Sequence, residues 1–181
     1  MLPYGAKDLA RAHRTVRKNT IQIVEELPES QLDFAAAPGA RTVRQLLTHI
    51  ALIDKWAGVH KEKRTSFEGF NFQELIGQMM AEEQKPRSKV ELIALLTERG
   101  EVLASWLETL SDDFLGEAFT QPPGMTPATK TRFEMLMSLK EHEMHHRGQL
   151  MLIERMLGQV PHLTRQAQER WAAQAEAQAQ T

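Results

Sequence analysis

Apolar side chains recur every three to four residues in four long segments, and no stretch sustains a two-residue alternation, so the pattern predicts an all-α chain. The first segment runs through Leu9, Val16, Ile23, Val24 and Leu27 and stops at Pro28, which cannot continue a helix. The second opens at Thr42 with Gln45 three residues on, a spacing in which hydroxyl and amide each satisfy an orphan backbone N–H. Its apolar stripe is Val43, Leu46, Leu47, Ile50, Ile53 and Ala57. Ser88 with Glu91 opens the third, carried by Leu92, Leu95, Leu96, Leu103, Trp106 and Leu110. Thr131 with Glu134 opens the fourth, which ends at Gly158 with Pro161 just beyond. Four such helices, joined in sequence along one chain, pack most economically as a four-helix bundle.

The connections carry their own signals. Phe67, Phe70 and Phe72 lead into a short extra helix that Asn71 caps and Leu75, Ile76 and Met79 anchor, which reads as a lid or packing insert. Residues 111–130, with Pro122, Pro123, Gly124 and Pro127, read as a long loop, and loops of that length are often functional. Beyond Gly158, Trp171 and an Ala and Gln repeat read as either a docked helix or a frayed end. The expected organisation is one bundle domain over 1–162 and a C-terminal tail over 163–181, without internal repeats.

Charge and composition narrow the function. Against 22 Lys and Arg stand 24 Asp and Glu, so the net charge of -2 creates no field that would gather nucleic acid. The early basic cluster Arg11, Arg14, Arg17 and Lys18 reads as a solvated helix face. No apolar run approaches the roughly 18 residues of a membrane span, and the first residues lack the apolar core of an export signal. A cytoplasmic protein with no membrane partner is expected. Cysteine is absent, so any metal must be held by His, Asp or Glu.

His142 and His146 stand four residues apart in the fourth segment, about one turn or roughly 5.4 Å along the axis. His146 falls near the middle of the stripe made by Met135, Leu139, Leu150, Ile153 and Leu157, and His142 close beside it, so both point inward. Two neighbouring buried imidazoles are costly unless something satisfies their nitrogens, and a shared cation does so. His49, on the flank of the second stripe near Ile53 and Trp56, completes a three-His set with an open position for substrate. His145 lies off the stripe, at the rim or on the surface, and His13, His60 and His162 read as structural. Asp54 shares a face with Leu47 and Ile50 and reads as an acceptor for a ligand imidazole or as a half-buried carboxylate with a helix partner.

The stretch 41–50, ending in His49, followed far downstream by residues 142–150 with His142, Glu143, His145 and His146, resembles the two signature regions of the DinB-like (YfiT-like) metalloproteins. The resemblance covers roughly residues 5–160. It implies a bundle of up-down-down-up order, a homodimer, and one Zn or Ni ion, with Fe or Mn as the alternatives, on His49, His142 and His146. It also implies a small-molecule substrate and, for some members, transfer or isomerisation with a low-molecular-weight thiol. With no cysteine in the chain, that thiol would arrive as cosubstrate, and Glu143 or His145 is the candidate proton carrier.

Residues 142–146 also spell the H-E-x-x-H of zinc peptidases, in which the Glu is general base. The extended form of that motif would need a Gly and a His where Gln149 and Leu152 stand, and no strand is predicted to bind a peptide. Glu143 and His146 form a single E-x-x-H, half of a di-iron site whose other half is missing. A hydrolase and a protein with a purely structural ion are the readings that compete with the thiol enzyme.

Overall fold

The structure, a computed structural model, describes residues 4–179. Helix α1 (Ala6–Glu26) ends one residue before Leu27 and Pro28 and buries Leu9, His13, Val16, Arg17, Thr20, Ile23 and Val24. Helix α2 (Val43–Ala51) starts at Thr42, whose hydroxyl accepts from the Gln45 N–H while the Gln45 side chain accepts from the Thr42 N–H. The second segment then departs from the single helix its pattern predicts. It tightens into a 3-10 turn over Leu52–Ala57 and resumes as the short helix α3 (Gly58–Lys61). Three residues per turn eclipse Ala51, Asp54 and Ala57, and all three are buried.

Asn71 caps α4 (Phe72–Glu83), Ser88 with Glu91 caps α5 (Lys89–Glu108), and Ser111 caps α6 (Asp112–Gly116). The 111–130 stretch, expected as loop, contains a small hairpin in which β1 (Ala118–Thr120) pairs antiparallel with β2 (Thr129–Thr131). Three-residue strands are too short to print an alternation, and Phe119 is the one fully buried side chain in this pair. Thr131 and Glu134 open α7 (Arg132–Met156) by the reciprocal cap. The tail is helical as α8 (His162–Ala179), pinned at its start by buried His162 and by Arg165, which donates to Glu26 at 2.8 Å. No helix among the described residues is long and apolar enough to cross a membrane.

Both α1 and α2 are flanked by α5 and α7. α1 runs against α5, since Arg14 pairs with Glu101 and Glu108 while Lys89 reaches the Glu25 carbonyl. It runs alongside α7, with Tyr4 against Phe133 and Thr20 bonded to Glu143. α2 runs alongside α5 and against α7, giving the up-down-down-up order.

The core has two apolar clusters. One holds Ile23, Leu27, Leu47, Ile50, Leu96 and Leu150, the other Leu9, Ile53, Leu103, Leu107, Leu136 and Leu139. Between them lies a polar layer of Arg17, Thr20 and Glu143. Arg17 is therefore not on the solvated face expected of the early basic cluster. Its guanidinium is buried, donates twice to Glu143 from Nε and once from Nη2, and sends its remaining donors to the carbonyls of Leu96 and Ile50. Gly100 of α5 makes room for it, since a Cβ there would stand 2.8 Å from Arg17 Cγ.

Candidate metal centre

The i, i+4 spacing on α7 places His142 and His146 on one face, with ring centroids 4.5 Å apart. His49 approaches from antiparallel α2, its ring 5.1 Å from His142 and 4.8 Å from His146. One ligating atom from each of the three lies within 4.8 Å of the other two. Burial lowers the pKa of all three, and in His142, helped by the neighbouring histidines, to about 4, so the rings are neutral and able to ligate at pH 7.

Two neighbours decide which nitrogens face inward. Glu83 Oε1 lies 2.8 Å from His49 Nδ1, and a carboxylate only accepts, so Nδ1 carries the proton and Nε2 keeps its lone pair. Gln149 Oε1 lies 2.8 Å from His146 Nδ1, while the Gln149 amide nitrogen faces His145 Nε2 at 3.2 Å. The amide is thereby oriented with its carbonyl toward His146, which fixes the same tautomer there. His49 Nε2 sits 2.9 Å from His142 Nε2. Such a donor set, three neutral imidazoles clustered with Nε2 of His49 and of His146 left as lone pairs and no acid among the three, fits a divalent metal ion.

Neither outer partner was singled out from sequence. Gln149 follows His146 by three residues, the spacing of facing helical side chains, and was readable on that ground. Glu83 comes from α4, 34 positions from His49, and carries no local signal. Asp54, one of whose expected roles was to orient a ligand imidazole, instead pairs with Arg99 at 3.2 Å. His145 is exposed and holds Gln149.

Glu143 departs most from expectation. Its carboxylate is fully buried on the α1 side of α7, accepting from Arg17 at 2.9, 3.0 and 3.1 Å and from Thr20 Oγ1 at 2.8 Å. Both oxygens are occupied, so the role of proton carrier or peptidase base is not open to it.

Two cavities flank the triad along α7. One, about 730 Å³, is lined by Arg41, Gln45, Glu83, His146 and Gln149 among others. Arg41 also pairs with Glu83 at 2.7 Å, which places a cation beside the histidines. The other, about 350 Å³, touches His49 and His142 and is walled by Ile53, Trp56, Phe67 and Leu139.

YfiT from Bacillus subtilis, described as a probable metal-dependent hydrolase with an unusual four-helix bundle topology, superposes with a TM-score of 0.65 at 22% identity, over 85% of this chain and 88% of that one. A DinB-like protein of Bacillus subtilis, YjoA, gives 0.61 at 20% identity over 84% and 93%. The colibactin self-resistance protein ClbS, solved with double-stranded DNA, gives 0.62 at 17% over 86% and 98%. At these identities the likeness is one of fold. No curated protein matches the sequence. The sequence matches the DinB family over residues 4–179, nearly its whole length and including the C-terminal helix, and the chain belongs to that family.

Proposed function

We propose that the chain is a metal-dependent enzyme acting on small molecules, with His49, His142 and His146 holding one divalent ion, Zn or Ni, and a low-molecular-weight thiol as cosubstrate. The observation that carries the metal is the pair of outer acceptors, Glu83 and Gln149, which leave Nε2 of His49 and His146 as bare lone pairs turned to one point. When bound, such an ion supplies the Lewis acidity that makes a thiol or a water nucleophilic near pH 7. Group transfer is favoured over hydrolysis by the two cavities, since a transfer needs room for two reactants on opposite sides of the centre. Arg41 suits an anionic thiol, and its neighbours Gln45 and Gln149 can hold amide groups. The near-neutral net charge and the pairing of Arg14 with Glu101 and Glu108 support a small substrate rather than duplex DNA.

A hydrolase, as YfiT is described, is the second reading. One experiment separates the two. Protein purified without chelator is assayed for metal, then incubated with an electrophile with and without a small thiol. Thiol consumption that disappears in His146→Ala supports transfer. Turnover without thiol, carrying oxygen from labelled water into product, replaces transfer with hydrolysis, and absence of metal from the wild-type protein refutes both.

A further inference from the structure

His60, read from sequence as structural, has a geometry that a core histidine does not need. It is 3% exposed at the end of α3, and its Nδ1 lies 3.3 Å from Arg132 Nη1. A guanidinium has no acceptor, so Nδ1 must accept and the ring proton must sit on Nε2. Arg132 cannot turn away. It is fully buried, donates to Glu117 at 2.8 Å and to the Lys63 carbonyl at 3.3 Å, and lies over the Phe114 ring at 4.5 Å. Burial and the Arg132 charge lower the His60 pKa to about 4, so the ring stays neutral. Nε2–H makes no hydrogen bond among the described residues.

This ring lines the smaller cavity beside the triad. Phe119 backs it at 4.7 Å, Phe67 stands 4.9 Å from Phe119, and Trp56 and Leu139 complete apolar walls. The hydroxyl there, that of Ser138, is spent on the Met135 carbonyl at 2.6 Å. An apolar chamber of about 350 Å³ into which His60, 3% exposed, brings an unspent N–H is matched by a flat apolar group bearing an acceptor. We infer that this cavity binds an aromatic substrate group carrying a carbonyl or similar acceptor, and that His60 Nε2–H is the positioning residue that orients it toward His49 and His142. The inference rests on the enzymatic reading above and names its second substrate class.

The probes are 2-acetylnaphthalene and 2-ethylnaphthalene, which differ in the acceptor alone, titrated by fluorescence into the metal-loaded protein and again after metal removal. Wild type should prefer the ketone about tenfold, the worth of one hydrogen bond. His60→Phe should erase the preference while keeping the hydrocarbon's affinity, and His60→Gln, which retains an N–H, should keep part of it. Ser138→Trp, which fills the cavity, should abolish both. If His60→Phe melts below the assay temperature, His60→Gln and Ser138→Trp decide the matter. A preference that survives unchanged in the folded His60 variant, or failure of folded wild type to bind either probe, overturns the inference. Metal measured on the same samples keeps the two readings apart. A His60-dependent preference in protein that holds no metal refutes the metal enzyme and not the cavity, whereas full metal without the preference refutes the cavity assignment alone.

Discussion

Replacing Glu143 with alanine removes a carboxylate that accepts four hydrogen bonds, three from Arg17 and one from Thr20, in a layer where Glu143 is fully buried and Arg17 nearly so. The intact pair adds little net stability, because two ions have left water to form it. Breaking it is different. Arg17 keeps its full charge, with only the Leu96 and Ile50 carbonyls to receive it, and stranding a buried charge costs about 3–5 kcal/mol. Against the roughly 5–15 kcal/mol that holds a domain together, that is a large fraction. With a urea slope of about 2 kcal/mol/M, the midpoint followed by circular dichroism should fall by about 1.5–2.5 M. Arg17→Met combined with Glu143→Leu should recover most of the loss, since neither charge then needs a partner. Metal bound per folded chain should stay at the wild-type level in Glu143→Ala. An unchanged midpoint, or a double variant as weak as the single one, would refute the buried pair. Loss of metal from folded Glu143→Ala would return Glu143 to the metal centre.

Three further outcomes are expected. Glu83→Gln should lower metal affinity about 10–100-fold in a chelator competition while the fold persists, because His49 loses the acceptor that sets its tautomer, and equal affinity would show that Glu83 does not orient the ring. Gly100→Ala would bring a Cβ to 2.8 Å from Arg17 Cγ, and an overpacking cost of about 1–3 kcal/mol should outweigh the roughly 1 kcal/mol gained in helix propensity. A melting temperature equal to or above that of wild type counts against the close contact. Glu154, fully buried with both carboxylate oxygens unpartnered, has its pKa raised by burial from 4.5 to about 7. The folded chain thus binds more protons than the unfolded one between those values, so this group's contribution is whole below pH 4.5 and lost as pH rises through 7. Glu154→Gln should therefore gain stability over wild type on going from pH 4.5 to pH 8, by up to about 3 kcal/mol, and a pH-independent difference would contradict the assignment.

What could be read in advance follows the range of the interactions. Thr42, Ser88 and Thr131 each find their partner three residues on, so those helix starts stand where the sequence puts them. The inward pair His142 and His146 is legible for the same reason, as it depends only on helical pitch. The Leu52–Ala57 turn is not, because its winding is set by what packs around it, and the change of period sends Asp54 to Arg99. Glu83 lies on a helix that buries little besides Met79 and Glu83 itself, so its own pattern gives no reason to place it at a metal site. Only the fold brings α4 onto α2.

The H-E-x-x-H spelling shows why a motif needs its surroundings. At about 100° per residue, Glu143 stands about 100° round the helix from His142 and about 60° on the far side of His146, so the shared face of the two histidines leaves it turned toward α1. Whether such a glutamate serves a metal or the core depends on what meets it there. In this chain α1 offers Arg17 and Thr20, with Gly100 of α5 leaving the space that the Arg17 side chain fills. A base must have a lone pair free and reach the reacting proton. Glu143 has neither, so the same five residues that begin a peptidase site elsewhere here serve two separate arrangements on one turn of helix: a histidine pair that, with His49, could hold a cation on the α2 side, and a buried ion pair facing α1.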